Sequence, residues 1–158
     1  MLSPESIVTR VAVALDEREV RSGCLAAAML AKLLIERFTS ARVELVRGYV
    51  TMETRYWGHF WLETSGAVEV KRLDPGSQLW FIQLPRDQKR LMLLRRLTTD
   101  RPASKTCMDS PGFADLQDAC FADCQRGLFW ENLRKVAGPD VERGMRQLHA
   151  TLERELAS

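Results

Sequence analysis

Histidine is nearly absent from this chain: among 158 residues there are two, His59 and His149. Any chemistry that needs an imidazole has only those candidates. Long apolar runs are missing as well. The longest stretch, Leu25 to Phe38, is broken by Lys32, Glu36 and Arg37 and falls short of the roughly 18 residues that span a bilayer. An excess of one charge is also lacking. A formal net charge of +2 predicts neither nucleic acid nor membrane as a partner. The opening Met1-Leu2-Ser3-Pro4-Glu5 has no basic segment followed by an apolar one, so no export signal is expected and a cytoplasmic location follows. The four cysteines are then expected to be reduced thiols.

Metal-ligand spacing is missing too. Cys107, Cys120 and Cys124 lack the closely spaced second pair usual for structural zinc. A site built from Cys120, Cys124 and His149 is the weaker alternative. No metal and no cofactor is expected.

What is present is ordinary for a globular protein, with 46% hydrophobic and 28% charged residues, enough to bury a core in one domain over residues 1–158. Ser3-Pro4-Glu5 carries the marks of a helix start, predicting a helix from Pro4 to about Leu15. Ser22-Gly23-Cys24 opens a second helix to about Phe38, apolar nearly all round and hence central. The period then changes. Ala41 to Val50 alternates as a strand, with Val43, Leu45 and Tyr49 toward one face, and Thr51 to Trp57 is a loop. His59 to Glu63 and Val68 to Leu73 read as a hairpin turning at Ser65-Gly66. Asp74-Pro75-Gly76 ends it, and Leu79 to Leu84 reads as one more strand. Helices are expected over Arg86 to Leu97, from Ser110-Pro111 to Val136 with a break at Gly127, and from Pro139 nearly to the end. Val141, Met145, Leu148, Leu152 and Leu156 form a stripe on the last. The order predicts an α+β fold: a cysteine-bearing central helix on a small antiparallel sheet, with additional C-terminal helices. A core over about 21–85 would carry a helical extension over about 86–158.

Within that core one set of residues carries chemistry. A cysteine at a helix start has unpaired N–H groups and the positive end of the helix dipole beside its sulfur, and both favour the thiolate. Cys24 sits there, after small residues that leave room for a substrate backbone. A thiol nucleophile needs a base, and the base an orienting acceptor. His59 begins a strand and Asp74 ends the next, so a hairpin sets them side by side at its open end.

Ser22-Gly23-Cys24 opening an Ala/Leu-rich helix, His59-x-Trp61-x-Glu63 on a strand, and Leu73-Asp74-Pro75 together resemble the transglutaminase-like cysteine-enzyme superfamily, over about Arg21 to Gly76. The resemblance implies acyl transfer on a peptide or protein substrate. Cys24 would attack an amide or thioester carbonyl, His59 would act as base and then acid, and Asp74 would orient His59. Hydrolysis as a peptidase or amidase is the expected outcome, with transamidation and deamidation using the same machinery. Trp57, Gly58, Trp61 and Gly23 are the expected substrate-binding residues. One departure from the family pattern stands out. Residues 1–23 contain no Gln, Asn, Trp or Tyr to help an oxyanion. The backbone N–H of Cys24 would then need a partner, with Trp57 and Tyr56 as candidates; a lost donor costs on the order of 3 kcal/mol.

Each residue also has a plainer reading. A cysteine in such a helix is commonly a small buried hydrophobe, Asp-Pro-Gly commonly a turn, and Trp61 with Glu63 a core residue and its partner. The run Arg86, Lys89, Arg90, Arg95, Arg96 is a solvated helix face or a dock for an acidic peptide. The last helix packs on its own domain or on a helical protein partner. An inactive peptide- or protein-binding module on the same fold is the alternative to an enzyme.

Overall fold

The computed structural model describes residues 1–21, 23–66 and 68–158. Ser22, the first residue of the Ser22-Gly23-Cys24 opening, lies outside the described residues. The fold is α+β, and the chain divides into two compact units, Met1–Pro111 and Gly112–Ser158. No helix among the described residues is long and apolar enough to cross a membrane.

The first unit starts with α1 (Pro4–Glu17), where Ser3 and Ser6 cap each other reciprocally and Pro4 takes the first turn. Ile7, Val8, Val11, Ala12 and Leu15 form its buried stripe. The next helix, α2 (Cys24–Phe38), buries Ala27, Ala28, Leu30, Ala31, Leu34 and Ile35 completely. It packs on α1, on α3 (Pro75–Gln83) and on the two long strands β1 (Arg42–Met52) and β2 (Arg55–Ser65). An α2 that is apolar on most sides is thus surrounded, as its composition demands.

β1 and β2 form one continuous antiparallel ladder from Arg42↔Ser65 to Met52↔Arg55. Residues 51–57, expected as a loop, are strand on both sides of a tight turn at Glu53-Thr54. The turn lacks the usual Gly, Asn or Asp, and Glu53 carries the left-handed backbone itself at φ 50°. Lys105 Nζ donates to the Glu53 carbonyl at 2.7 Å and the Thr106 N–H to the Thr54 carbonyl at 2.8 Å. Contacts remote in sequence hold the turn.

Three more expectations are corrected. The strand predicted over 68–73 shrinks to β3 (Arg72–Leu73), paired with β2 as Leu62↔Leu73; Val68 and Val70 are exposed and have no face to bury. The strand predicted over 79–84 is helix α3. The Asp74 side chain accepts from the Ser77 N–H with Pro75 at the first turn, so the residues read as a turn are a helix start. The helix predicted over 86–97 breaks into a 3-10 turn (Arg86–Gln88), a short α4 (Lys89–Leu93) and a strand β4 (Arg96–Thr98). The open edge of β1 takes up β4 as Val50↔Leu97, so sheet pairing overrides local helix preference. β5 (Thr106–Cys107) adds a short parallel pairing to β2. Residues 86–111 therefore belong to the first unit, and the helical extension begins at 112, not 86.

The second unit is helical: α5 opens at the boundary (Pro111–Gln125), followed by α6 (Phe129–Ala137) and α7 (Pro139–Ala157), with the break at Gly127 and the last helix starting at Pro139 as the sequence predicts, and a second glycine at positive φ, Gly138, between α6 and α7. Of the stripe on α7, Leu148 and Leu152 are buried and Val141 is exposed. Cys120 and Cys124 are buried on one face of α5.

Candidate functional site

Cys24 is the first residue of α2, half-buried, and its N-cap is Gly23. Glycine has no side chain with which to cap, so it offers no acceptor to the first-turn N–H groups, where the helix dipole favours negative charge. The loop entering Gly23 is pinned by Gln83, whose Nε2 donates to the Val20 carbonyl at 2.7 Å.

His59 stands on β2 with 6% of its surface exposed. Its Nε2 lies 2.8 Å from Asp74 Oδ1, and Ser77 Oγ is a second neighbour of the same nitrogen at 3.2 Å. The start of α2 stands beside the ring, with Cys24 Cβ and His59 Cε1 both lying against Gly76, and the Cys24 side chain acts on the ring's charge. Trp61, two residues on and therefore on the same face of the strand, lies alongside the imidazole, centroids 6.1 Å apart and planes 26° apart. Trp61 finds its room over Gly48, the residue paired with His59 across the ladder. A Cβ there would collide with the Trp61 ring and stand 2.6 Å from the Thr98 carbonyl oxygen. Burial alone would push the His59 ring toward neutrality. The Asp74 hydrogen bond and the charges of Asp74 and Cys24 outweigh it, and the ring is pushed up to about 9.

Asp74 does two things at once. Its Oδ1 accepts the Ser77 N–H at 3.0 Å as the N-cap of α3, and the same oxygen holds His59. Its Oδ2 accepts from Arg95 Nη1 at 3.0 Å. Burial would raise the carboxyl; hydrogen bonding to His59, the ring's charge and the Ser77 donors overcome that and hold it below the usual carboxylate range. The start of α3 also touches the start of α2. A Cβ on Gly76 would stand 2.7 Å from Cys24 Cβ, 2.8 Å from Cys24 Cα and 3.4 Å from His59 Cε1. Only glycine lets the two helix N-termini meet over the imidazole.

So the structure brings Cys24, His59 and Asp74 together. The hairpin that carries His59 is not the whole reason: Asp74 arrives as a helix cap one step past β3. The four residues expected to bind substrate fare differently. Gly23 adjoins Cys24 and is half-buried. Trp57 is half-buried and edge-on to Trp80 of α3, centroids 5.5 Å apart. Gly58 is buried, and its N–H is taken by Asp109 Oδ2 at 2.6 Å. Trp61 is 0% exposed and donates through Nε1 to Glu63 at 3.1 Å, so it supports the histidine from within the core and forms no open wall. Tyr56 is excluded as an oxyanion donor. It points to the other face of β2 and is 3% exposed, with its hydroxyl accepting from Arg101 Nε at 3.0 Å.

Sequence reasoning passed over Gly76, Ser77 and Arg95. The pattern Asp74-Pro75-x-Ser77 is a legible cap signal; Arg95 carries none, because its partner comes from chain folding. Among the described residues, no histidine is hydrogen-bonded to Cys107, Cys120 or Cys124, and the Cys107 thiol donates to the Asp109 carbonyl at 3.7 Å. Cys124 is pushed up to about 12 by burial and by the nearby Cys120 and Asp123. No group of three His, Cys, Asp or Glu side chains is arranged for a metal ion among the described residues.

What the arrangement can do chemically is pass a proton between a thiol at a helix N-terminus and an imidazole whose Nε2 is held by a carboxylate. The chain matches no protein-family model, no curated protein and no solved structure.

Proposed function

We propose that this chain is a cysteine-nucleophile acyl-transfer enzyme of transglutaminase-like type, acting hydrolytically on a peptide or amide. The observation that carries the reading is His59 Nε2 held 2.8 Å from Asp74 Oδ1, with Cys24 at the start of α2 lying against Gly76 beside the same ring. Cys24 first gives its proton to His59, and the Sγ thiolate then attacks the carbonyl carbon. The tetrahedral intermediate collapses as His59 returns that proton to the departing amine, leaving a thioester on Cys24. Water, deprotonated by His59, then attacks the thioester. The acid leaves, and the proton goes back to the Cys24 sulfur. Asp74 stays ionised and holds the imidazole in the tautomer with its proton on Nε2. The Cys24 N–H at the start of α2 serves the oxyanion, and Trp57, on the His59 face, is the side chain proposed as its second donor. Gly23 and Trp57 remain the substrate-side residues in this reading. A thiol nucleophile suits a reducing compartment, and the cytoplasm is the proposed setting.

The test is digestion of a proteome-derived peptide library by the full chain and by Cys24→Ala, with new termini read by mass spectrometry. Cleavages present with the full chain and missing with Cys24→Ala support hydrolysis. A thioester on Cys24 without turnover, or label incorporated from an added amine, redirects the reading to a binding module or a transamidating enzyme respectively. No Cys24-dependent product or adduct of any kind contradicts it.

A further inference from the structure

Arg95 sits between α4 and β4, in a segment whose other side chains face solvent. Leu93, Leu94 and Arg96 are exposed, whereas the Arg95 side chain is 23% exposed. Its backbone is held on both sides. The Arg95 N–H donates to the Met92 carbonyl at 3.3 Å, Met92 is buried, and the next residue begins the strand that pairs with β1. The side chain turns inward and places Nη1 3.0 Å from Asp74 Oδ2, the oxygen that His59 does not use. We propose that Arg95 is a positioning residue for the Cys24–His59–Asp74 set: its guanidinium fixes the carboxylate and takes up part of its charge, so setting how strongly Asp74 holds the proton of His59. The inference rests on the proposed roles of those three residues.

The charged and titratable groups around the pair are few. His59 meets Asp74 and the Ser77 hydroxyl from α3 and the Cys24 thiol from α2. Asp74 meets His59, Ser77 and Arg95. Glu63 and Arg72, farther along β2 and β3, pair with each other at 3.3 Å, and Arg72 lies over the Trp61 ring. Among the described residues, Arg95 is therefore the cation in direct contact with Asp74 that opposes a second positive charge on the imidazole. Removing it while keeping the fold must make His59 harder to deprotonate, because Asp74 then spends its whole charge on the ring. Removing Asp74 acts in the opposite direction. A guanidinium that merely braced the segment would change stability without moving the ring's titration.

With only two histidines, protein labelled at the histidine Cε1 gives two ring resonances, told apart by His149→Gln. Titration of His59 in the full chain and in Arg95→Gln, which keeps a hydrogen-bond donor and loses the charge, tests the proposal without reference to turnover. The expected result is an upward shift in Arg95→Gln on the order of one pH unit, and a value near that of the unaltered chain in Arg95→Lys. An unmoved or lowered His59 in Arg95→Gln overturns the inference. Should Arg95→Gln not fold, Arg95→Lys decides alone: a displaced titration there means that shape and not charge matters. A protein that cleaves nothing yet shows the upward shift retires the proposed function and leaves the role of Arg95 standing.

Discussion

Gly76 lies against Cys24 so closely that a methyl group on it would stand 2.7 Å from the Cys24 Cβ and 2.8 Å from its Cα. The obstacle includes backbone at the start of a buried helix, which yields far less easily than a flexible side-chain tip. Gly76→Ala should therefore pry the α3 start from the α2 start, lowering stability by about 1–3 kcal/mol, as overpacking does. Alkylation of Cys24 by iodoacetamide should slow at least about tenfold, because a displacement of an ångström uncouples groups that must share a proton. Thermal melts and labelling rates check both. An alanine variant with unchanged labelling would mean the contact has no bearing on the site.

Asp74 serves a helix and a histidine with one oxygen, so its substitutions should separate the two duties. Asp74→Asn keeps an acceptor for the Ser77 N–H but loses the charge, and the His59 titration should fall from about 9 toward the ordinary 6.5. Asp74→Ala also loses the cap, worth about 1 kcal/mol, and leaves Arg95 and His59 without their anion. Its total cost should approach the 3–5 kcal/mol typical of breaking a buried pair, given as a rough scale. Ser77→Ala, which keeps the capped N–H, should cost far less. Urea unfolding of the three variants gives the ranking.

Stability should depend on pH through His59 in a defined window. The folded ring at about 9 lies above its ordinary 6.5, so protonation favours the folded state. The contribution is fully present below 6.5 and is lost as pH rises through about 9. It amounts to on the order of 3 kcal/mol. Asp74 acts on the acid side: its folded value is lowered, so its contribution is present above the ordinary carboxylate value and is lost as pH falls through the depressed one. Urea unfolding of the unaltered chain and of His59→Gln from neutral to alkaline pH should show the first slope in the former and its loss in the latter.

The two tryptophans on the His59 face should behave differently. Trp61 is fully buried with its Nε1 bonded to Glu63, so Trp61→Ala should cost about 3–5 kcal/mol. Trp57 is half-buried against Trp80, so Trp57→Ala should cost much less stability and act on KM or kcat for any Cys24-dependent substrate. Melting temperature beside steady-state kinetics distinguishes them.

Local signals in the sequence carried well where the chain answers to its neighbours in sequence. Ser3-Pro4 started α1, the apolar composition of α2 made it central, Gly127 marked a break and Pro139 started α7. Cys24, His59 and Asp74 were legible because a helix start and a strand order them. The losses lie where distant contacts decide. The Glu53-Thr54 turn has no turn residue and is tied by Lys105. Residues 96–98 became a strand because β1 had an open edge. Arg95 looked like one more surface cation until that strand and the buried Met92 fixed where its backbone stands. The Asp74-Pro75-x-Ser77 cap was local and readable, and treating it as a turn hid both α3 and the contact of Gly76 with Cys24.

If Cys24 shares its proton with His59, the four thiols of the chain must differ sharply in reactivity. Iodoacetamide at about pH 6, followed by peptide mass spectrometry, should modify Cys24 far faster than Cys107, Cys120 or Cys124, with Cys124 the most inert because burial pushes it up to about 12. The selectivity should vanish in His59→Ala. Equal, slow labelling of all four thiols in the unaltered chain would rule out a proton shared between Cys24 and His59.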